Sequence, residues 1–262
     1  MADAAQLVTL VVVSPHLDDA VLCAGGGMAI ARSLGVDVLM VTIFAGGVRT
    51  DRLGNYARAF HQQCGLGDGA IVAVRRHEDA VAATALDVRY QWLDVPDALY
   101  RTGDDGPLYD SDAKLFGEPV DSDDKLGADA RALLSQHIQP ADVVLLPLSV
   151  GRHVDHVLAR RWGESAARDA GAHCIHYYEE SLYEDQNGAT SWRGVDTGGL
   201  ERLEVSVPAS RREIKELAVC AYRSQLVMLG LGPDHPGERA MFMARLGLEK
   251  YWQPIVPTRR LL

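Results

Sequence analysis

The sequence has few cysteines, no paired cysteines and no excess of positive charge. Its four cysteines, Cys23, Cys64, Cys174 and Cys220, are widely separated and form no Cys-x-x-Cys pair. This spacing predicts neither a disulfide framework nor a cysteine-based zinc site. Reduced thiols are typical of the cytoplasm, which is therefore the expected location of the protein.

Positive charge and long apolar runs are also missing. Lys and Arg number 26 against 36 Asp and Glu, a formal net charge of −10. Phosphate backbones and anionic lipids attract basic surfaces, so neither a nucleic acid nor a membrane is expected as a partner. The apolar run Leu10–Val13 is far shorter than the ~20 residues that a membrane span needs. The segment Met1–Gln6 lacks the positive charge of a secretory signal.

Apolar, β-branched runs alternate with helical patterns along the chain. Leu7–Val13, Val38–Ile43 and Val143–Leu146 are predicted strands, and Ala20–Leu34 and Asp155–Ala170 are predicted helices. Continuous apolar strands separated by helices indicate a parallel sheet that is covered on both faces. The predicted fold class is α/β: a Rossmann-like three-layer α/β/α domain with a mostly parallel sheet and long active-site loops.

Several other segments carry more specific expectations. Ile71–Val74 is predicted to be a short strand, and the acidic residues of Asp121–Asp124 are predicted to lie in a solvated loop. Gly25–Gly27 do not form the Gly-x-Gly-x-x-Gly pattern of dinucleotide-binding proteins, so close packing of the first helix is expected there. Asp94–Lys125 and Tyr183–Arg202 are long polar segments, and loops of such length are usually functional or mobile.

Two motifs rich in His and Asp follow predicted strands. Ser14–Val21 (SPHLDDAV) comes directly after the first strand, and His153–His156 (HVDH) follows the strand Val143–Leu146. Open parallel sheets bind ligands outside the carboxyl ends of their strands, where the strand order reverses. If the two strands are neighbours, the histidines and carboxylates of both motifs converge in one cleft.

Such a set of nitrogen and oxygen donors suits zinc, which takes three protein ligands in catalytic sites and keeps a fourth position open. His16 and Asp19 lie three residues apart, so one turn puts both on the same side, and His156 can complete the set. Asp18 sits beside a ligand but points elsewhere, as a general base would. His153 lies about one turn before His156 and is expected to face the same cavity.

The two motifs resemble those of the LmbE-like or PIG-L de-N-acetylases, which are zinc hydrolases with a Rossmann-like fold. The family motif His-Pro-Asp-Asp-Glu corresponds to His16–Ala20, and the family motif His-x-Asp-His corresponds to His153–His156. A third family element, Arg-x-x-Glu, corresponds to Arg75–Glu78. The resemblance covers roughly residues 7 to 180. Leu17 replaces the common Pro and Ala20 the common Glu, but neither position carries an expected ligand.

The resemblance implies roles for individual residues. It implies zinc ligation by His16, Asp19 and His156, a general base at Asp18, an oxyanion-stabilising or acidic group at a protonated His153, and substrate binding by Arg75 and Asp97. It further implies one Zn²⁺ per chain, with another divalent metal also compatible. The whole chain, 1–262, is expected to be one deacetylase domain, with a core at about 7–180 and a C-terminal strand and helices at about 200–262 packed on it.

The implied activity is that of a metal-dependent N-deacetylase, a hydrolase acting on linear amide C–N bonds. It would remove an N-acetyl or similar N-acyl group from an amino-sugar-containing small molecule such as an N-acetylglucosaminide. Two alternatives stay open. An amidase for a non-sugar acyl amide, such as a thiol conjugate or a natural-product intermediate, would share every motif. A non-catalytic module that binds a nucleotide or glycoside would lack the metal. A homo-oligomer is compatible with the sequence, which does not indicate one.

Overall fold

The structure, a computed structural model, describes residues 8–180 and 192–255. The strands in these residues are β1 (Thr9–Ser14), β2 (Asp37–Thr42), β3 (Arg89–Trp92), β4 (Thr102–Gly103), β5 (Gly106–Pro107), β6 (Val143–Pro147), β7 (Cys174–Tyr178), β8 (Leu200–Ser206) and β9 (Leu248–Pro254). The helices are α1 (Asp19–Ser33), α2 (Asn55–Gln63), α3 (Ile71–Ala85), α4 (Asp112–Leu115), α5 (Ser122–Ser135), α6 (Val154–Asp169), α7 (Ala209–Val219), α8 (Arg223–Met228) and α9 (Pro236–Arg245).

The central sheet has the strand order β3-β2-β1-β6-β7-β9-β8. Strands β3, β2, β1, β6 and β7 run parallel, whereas β9 pairs antiparallel with β7 and with β8. From β1 the chain builds outward to β2 and β3, and it then returns to place β6 on the other side of β1. The strand order therefore reverses between β1 and β6, the position at which open parallel sheets bind ligands.

Both faces of the central strands β1, β2 and β6 are buried, as the continuous apolar runs predict. Val11 and Val13 belong to one apolar core together with Trp162 of α6, whereas Val12 belongs to a second core together with Met28 of α1. Successive strand residues point to opposite faces, so alternate residues of one strand feed two separate cores. The predicted α/β fold with a mostly parallel sheet is thus confirmed, and α1 and α6 lie on its opposite faces.

The glycines of α1 allow other elements to approach the helix closely, as expected. A Cβ atom at Gly26 would lie 2.5 Å from a methyl carbon of Val207. The backbone N–H groups of Gly26 and Gly27 donate to the Glu249 carboxylate at 2.7 Å, and buried Lys215 donates to the same carboxylate at 2.6 Å. This paired buried charge joins β9 and α7 to the helix that begins at the candidate site.

Two expectations about local structure are wrong. Ile71–Val74 forms the start of α3 and not a strand, because the chain buries a helical stripe there that includes Ile71, Arg75, Glu78 and Ala82. The run Asp121–Asp124 does not form a solvated loop but leads into α5. Asp123 is buried, and its carboxylate accepts hydrogen bonds from Arg101 at 3.0 Å and from the Tyr109 hydroxyl at 2.6 Å.

Within the two described ranges, no helix has the length and apolar composition needed to cross a membrane.

Candidate active site

The turn between β1 and α1 is organised by the hydroxyl group of Ser14. This hydroxyl donates to the backbone carbonyl of His16 at 2.6 Å and accepts from the backbone N–H of Ala20 at 3.0 Å. The side chains of His16, Asp18 and Asp19 therefore lie on a short connection between a buried strand and a buried helix, and the hydrogen bonds of Ser14 fix its backbone.

The second motif begins α6 at the end of the loop that follows β6. His153 is the N-cap of this helix, and its Nδ1 accepts a hydrogen bond from the Asp155 backbone N–H at 3.2 Å. Ser149 and Arg152 in this loop have positive φ angles of 71° and 57°. Such backbone conformations are costly for residues other than glycine, and strained residues of this kind cluster at active sites and ligand-binding loops.

The structure brings His16, Asp19 and His156 together, with both imidazole rings facing one carboxylate oxygen of Asp19. Asp19 Oδ2 lies 3.1 Å from His16 Nδ1 and 3.3 Å from His156 Nε2. One donor atom from each residue lies within 4.8 Å of the other two, and all three residues are buried. Two imidazole nitrogens and a carboxylate oxygen form the type of set that holds catalytic zinc.

The other ring nitrogen of each histidine contacts a carboxylate. His16 Nε2 lies 3.0 Å from Asp155 Oδ2, and His156 Nδ1 lies 3.0 Å from Glu180 Oε1. Metal-binding histidines almost always use their second nitrogen in this way, which fixes the tautomer and the ring orientation. The donor set and its outer contacts therefore fit a divalent metal ion.

The electrostatics of the cluster also favour a cation. Burial opposes the charged form of both histidines, but the surrounding carboxylates outweigh it. Asp97, Asp155 and Asp19 raise the pKa of His16 well above its usual value, and Asp19 and Glu180 raise the pKa of His156 to about 9. The negative electrostatic potential of these carboxylates, which stabilises a proton on each ring, would also stabilise a metal cation between the rings.

A second group of donors shares His16 and consists of His16, His153 and Asp155. Here the carboxylate of Asp155 is already engaged. Its Oδ2 accepts from His16 and from the Ala98 backbone N–H at 2.9 Å, and its Oδ1 contacts the guanidinium group of Arg101. Asp155 therefore orients His16 through its Nε2, and the group with Asp19 and His156 is the better candidate for a metal site.

Asp18 and Asp19 are neighbours in sequence but have opposite electrostatic properties. Burial, reinforced by the charge of Asp19, raises the pKa of Asp18 to about 7, although Arg75 Nη2 lies 3.5 Å from its carboxylate. Burial also acts on Asp19, but the charges of His156 and His16 outweigh it and hold the pKa of Asp19 well below the usual range. Adjacent carboxyl groups with shifts of opposite sign are suited to different roles.

His153 lies next to His16, with the two ring centroids 4.9 Å apart. Burial, together with the charge of His16, lowers the pKa of His153 well below its usual value. Because Nδ1 accepts from the Asp155 backbone N–H, the ring proton lies on Nε2. The protonation of His153 that the family resemblance implies stays a prediction, and the contact at Nδ1 leaves Nε2 as the ring atom that can carry a donor N–H toward the cavity.

The two residues expected to bind substrate both line the cavity beside the cluster. Arg75 is buried on α3, and its Nε has no hydrogen-bond partner among the described residues. Asp97 caps a short 3-10 turn, and its Oδ1 accepts from the Leu99 backbone N–H at 2.9 Å. Its Oδ2 lies 3.7 Å from His16 Nε2. Both side chains are placed within reach of a molecule bound in the cavity.

The cavity has a volume of about 570 Å³. The polar part of its lining next to the His and Asp cluster consists of His16, Asp18, Asp19, Arg75, Asp97 and His153, and four further polar residues, Tyr56, Gln63, Asp112 and Gln225, line the cavity elsewhere. The long segment Asp94–Lys125 borders the cavity, as its length suggested. Of the other long segment, Tyr183–Arg202, residues 183–191 lie outside the described part of the chain, and the described remainder does not line the cavity.

Sequence reasoning missed the support of His156 by Glu180. Glu180 follows buried β7, and its carboxylate also accepts the backbone N–H groups of Ser149 and Val150 at 2.9 and 3.1 Å. The rule that located both motifs, a polar group at the carboxyl end of a buried parallel strand, applies equally to Glu180.

The similarities to known proteins agree with this site. The family model for PIG-L, described as GlcNAc-PI de-N-acetylase, matches residues 11–167. The chain is 28% identical over 237 residues to 2'-N-acetylparomamine deacetylase of Niallia circulans, with 83% of this chain and 80% of that protein covered. It is also 28% identical over 244 residues to the protein of the same name from Streptomyces fradiae, covering 92% and 79%.

Solved structures show the same similarity. A deacetylase–bog complex from the teicoplanin biosynthesis pathway matches with a TM-score of 0.77 and 28% identity, covering 97% of this chain and all of the other. A zinc-inhibited form of teicoplanin deacetylase matches with a TM-score of 0.72 and 27% identity, covering 96% of this chain and all of the other. Because the family model spans more than half of the chain and both of its His and Asp motifs, the chain belongs to the PIG-L family of de-N-acetylases.

Proposed function

We propose that this chain is a zinc-dependent N-deacetylase that removes the N-acetyl group from an amino sugar in a glycosylated small molecule. The observation that carries the proposal is the grouping of His16, Asp19 and His156, in which both imidazole rings face one carboxylate oxygen of Asp19. Asp18 lies beside this group at the cavity surface. The relatives named above are deacetylases of 2'-N-acetylparomamine or of the teicoplanin biosynthesis pathway, which supports this substrate class.

His16, Asp19 and His156 would hold the ion. A divalent metal there supplies Lewis-acid polarisation of an acyl carbonyl and acidifies a water molecule. Asp18 accepts the proton of the attacking water and then delivers it to the leaving nitrogen as the amide C–N bond breaks, which yields acetate and the free amine. The Nε2–H of His153 donates to the carbonyl oxygen as negative charge develops on it. Arg75 and Asp97 bind hydroxyl groups of the sugar.

The direct test is release of a primary amine from 2'-N-acetylparomamine and from methyl N-acetyl-β-D-glucosaminide. Metal-depleted protein should be inactive, and activity should return as zinc is titrated up to one equivalent. Excess zinc should be avoided, because a relative is described in a zinc-inhibited form. Amine release only from a non-sugar acyl amide would establish the amidase alternative. No metal uptake by the protein would contradict the enzyme assignment itself.

A variant of His153 tests the donor to the carbonyl oxygen. His153→Ala should keep the metal and lower kcat by ~10²–10³, the usual cost of losing one oxyanion donor. The measurement is kcat together with metal content per chain, and His137→Ala, in a turn after α5, is the matched control. If His153→Ala lost the metal while His156→Ala retained it, the roles of the two histidines would be exchanged.

A further inference from the structure

Three short helices form walls of the same cavity. Each of α2, α4 and α8 presents to the cavity a polar residue followed three and four positions later by two apolar residues. These apolar pairs are Ala59 and Phe60, Leu115 and Phe116, and Met228 and Leu229. The spacing of three and four positions places each pair on one face of its helix, so the three helices turn apolar stripes toward the bound molecule.

The polar residues at the start of these stripes are satisfied within the wall. The Tyr56 hydroxyl of α2 donates to the Asp112 carboxylate of α4. The side-chain amide of Gln225 donates to the Ser224 hydroxyl at 3.1 Å. Gln63 is the remaining polar side chain that α2 brings to the cavity, and it is exposed. The Tyr56 hydroxyl and the side-chain NH2 of Gln225 are therefore already engaged inside the protein.

The apolar walls begin next to the polar surface that would hold the amino sugar. The Phe60 ring centroid lies 5.9 Å from the Arg75 guanidinium carbon, and the ring centroids of Phe116 and His153 are 5.5 Å apart. At about 570 Å³, the cavity falls in the range of ~300–1,000 Å³ that holds drug-sized ligands, so it has room for more than one sugar ring.

We propose that the amino sugar of the substrate carries an apolar alkyl or aryl aglycone, which binds between α2, α4 and α8 against Phe60, Phe116 and Met228. This inference rests on the proposed deacetylase function and adds the chemical class of the group beyond the sugar. Apolar contacts to that group contribute binding energy that a free amino sugar or a charged aglycone does not obtain.

Glu78 of α3 is the positioning residue of the α8 wall. Its Oε1 accepts from the Ser224 backbone N–H at 2.9 Å, and its Oε2 accepts from the Ser224 hydroxyl at 2.6 Å. Both carboxylate oxygens thus hold the first turn of the helix that carries Met228. The Arg-x-x-Glu element of the sequence therefore combines a residue at the sugar, Arg75, with the anchor of the aglycone wall.

The test compares three N-acetyl-β-D-glucosaminides with methyl, hexyl and 2-aminoethyl aglycones, using kcat/KM for amine release by the zinc-loaded enzyme. We expect the hexyl glycoside to exceed the methyl glycoside by about tenfold or more, because two buried methylene groups already supply that factor. The aminoethyl glycoside should be no better than the methyl glycoside.

Variants locate the subsite. Met228→Gln should reduce the hexyl-to-methyl ratio of kcat/KM by about tenfold. Val227→Gln is the matched control: it changes the adjacent residue of the same helix, which is 47% exposed and lies outside the cavity, and should leave the ratio unchanged. Ser224→Ala and Glu78→Gln should raise KM for the hexyl glycoside more than KM for the methyl glycoside, with kcat and metal content maintained.

The outcomes separate this inference from the function on which it rests. Equal kcat/KM for all three glycosides, or a preference for the aminoethyl glycoside, would overturn the apolar subsite and leave the deacetylase function in place. A Met228→Gln enzyme with the wild-type ratio would overturn the assignment of the subsite to these helices. If the zinc-loaded enzyme released amine from none of the N-acetylated amino sugars, the function would fail, and the inference with it.

Discussion

An Asp18→Asn variant should retain its metal and lose a factor of ~10²–10⁴ in kcat, the range that a general base contributes. The amide group has nearly the same shape as the carboxylate but cannot accept the proton of the attacking water. Asp18 lies at the cavity surface, and burial raises the pKa of its carboxyl group to about 7. A base whose pKa lies near neutrality is well matched to a reversible proton transfer.

The neighbouring carboxylate provides the matched control for this variant. Asp19→Asn should lose both activity and metal, because Asp19 Oδ2 is the atom that both histidines face. The measurement pairs single-turnover amine release with metal content for both variants. Asp104→Asn, an exposed residue of the Asp94–Lys125 segment, should match the wild type in both. A near-normal kcat for metal-loaded Asp18→Asn would contradict the assignment of the base.

The sequence predicts which strand ends carry the candidate metal site, because the apolar runs and the motifs that follow them are local features of the chain. Val11–Val13 and Val143–Leu146 are continuous apolar runs; the first is followed directly by its His and Asp motif, and the second is followed by its motif after the six residues Pro147–Arg152. The sequence alone does not show that these two strands are neighbours in the sheet, and the prediction of one shared cleft depends on that pairing. The structure bears it out, with Leu10, Val11 and Val12 paired in parallel with Val143, Val144 and Leu145.

The first half of α3 is difficult to recognise from the sequence because the buried face of the helix is largely polar. A helix is recognised from apolar residues at a period of 3.6, but α3 turns Arg75, Glu78 and Asp79 inward together with small alanines. These residues are buried because partners far along the chain satisfy them. Glu78 contacts Ser224, 146 residues away, and Asp79 accepts from the Tyr222 hydroxyl at 2.6 Å, 143 residues away. Periodicity carries no information about such partners.

The segment Asp94–Lys125 shows the same limit. Its composition predicts a polar loop, yet Arg101 is buried between the carboxylates of Asp123 and Asp155 and stacks over the Phe44 ring at 5.3 Å. A buried arginine requires buried carboxylates, and its partners lie 22 and 54 residues away. Because Asp155 in turn contacts His16, this segment is joined to the candidate metal site, a connection that composition does not reveal.

A His16→Ala variant should lose nearly all of its bound zinc and, with it, all measurable deacetylase activity. The imidazole is one of the three proposed protein ligands, and the side chain of alanine offers no donor in its place. Zinc binding should also be visible in stability, because a ligand that binds only the folded protein stabilises it by ~2.7 kcal/mol at a concentration of 100 times Kd. Zinc should therefore raise the Tm of the metal-depleted wild type but not that of His16→Ala.

Glu180→Gln should weaken zinc binding less than His16→Ala does. The Glu180 carboxylate contacts His156 Nδ1 at 3.0 Å but is not a ligand itself, and loss of such an outer contact typically weakens metal binding by ~10–100-fold. In zinc titrations of the metal-depleted proteins, the affinity for zinc should therefore be highest for the wild type, lower for Glu180→Gln and lowest for His16→Ala. His176→Ala, on β7 and outside the cluster, should bind zinc as the wild type does. Retention of stoichiometric, tightly bound zinc by His16→Ala would remove His16 from the ligand set and would contradict both donor groups, because both contain this residue.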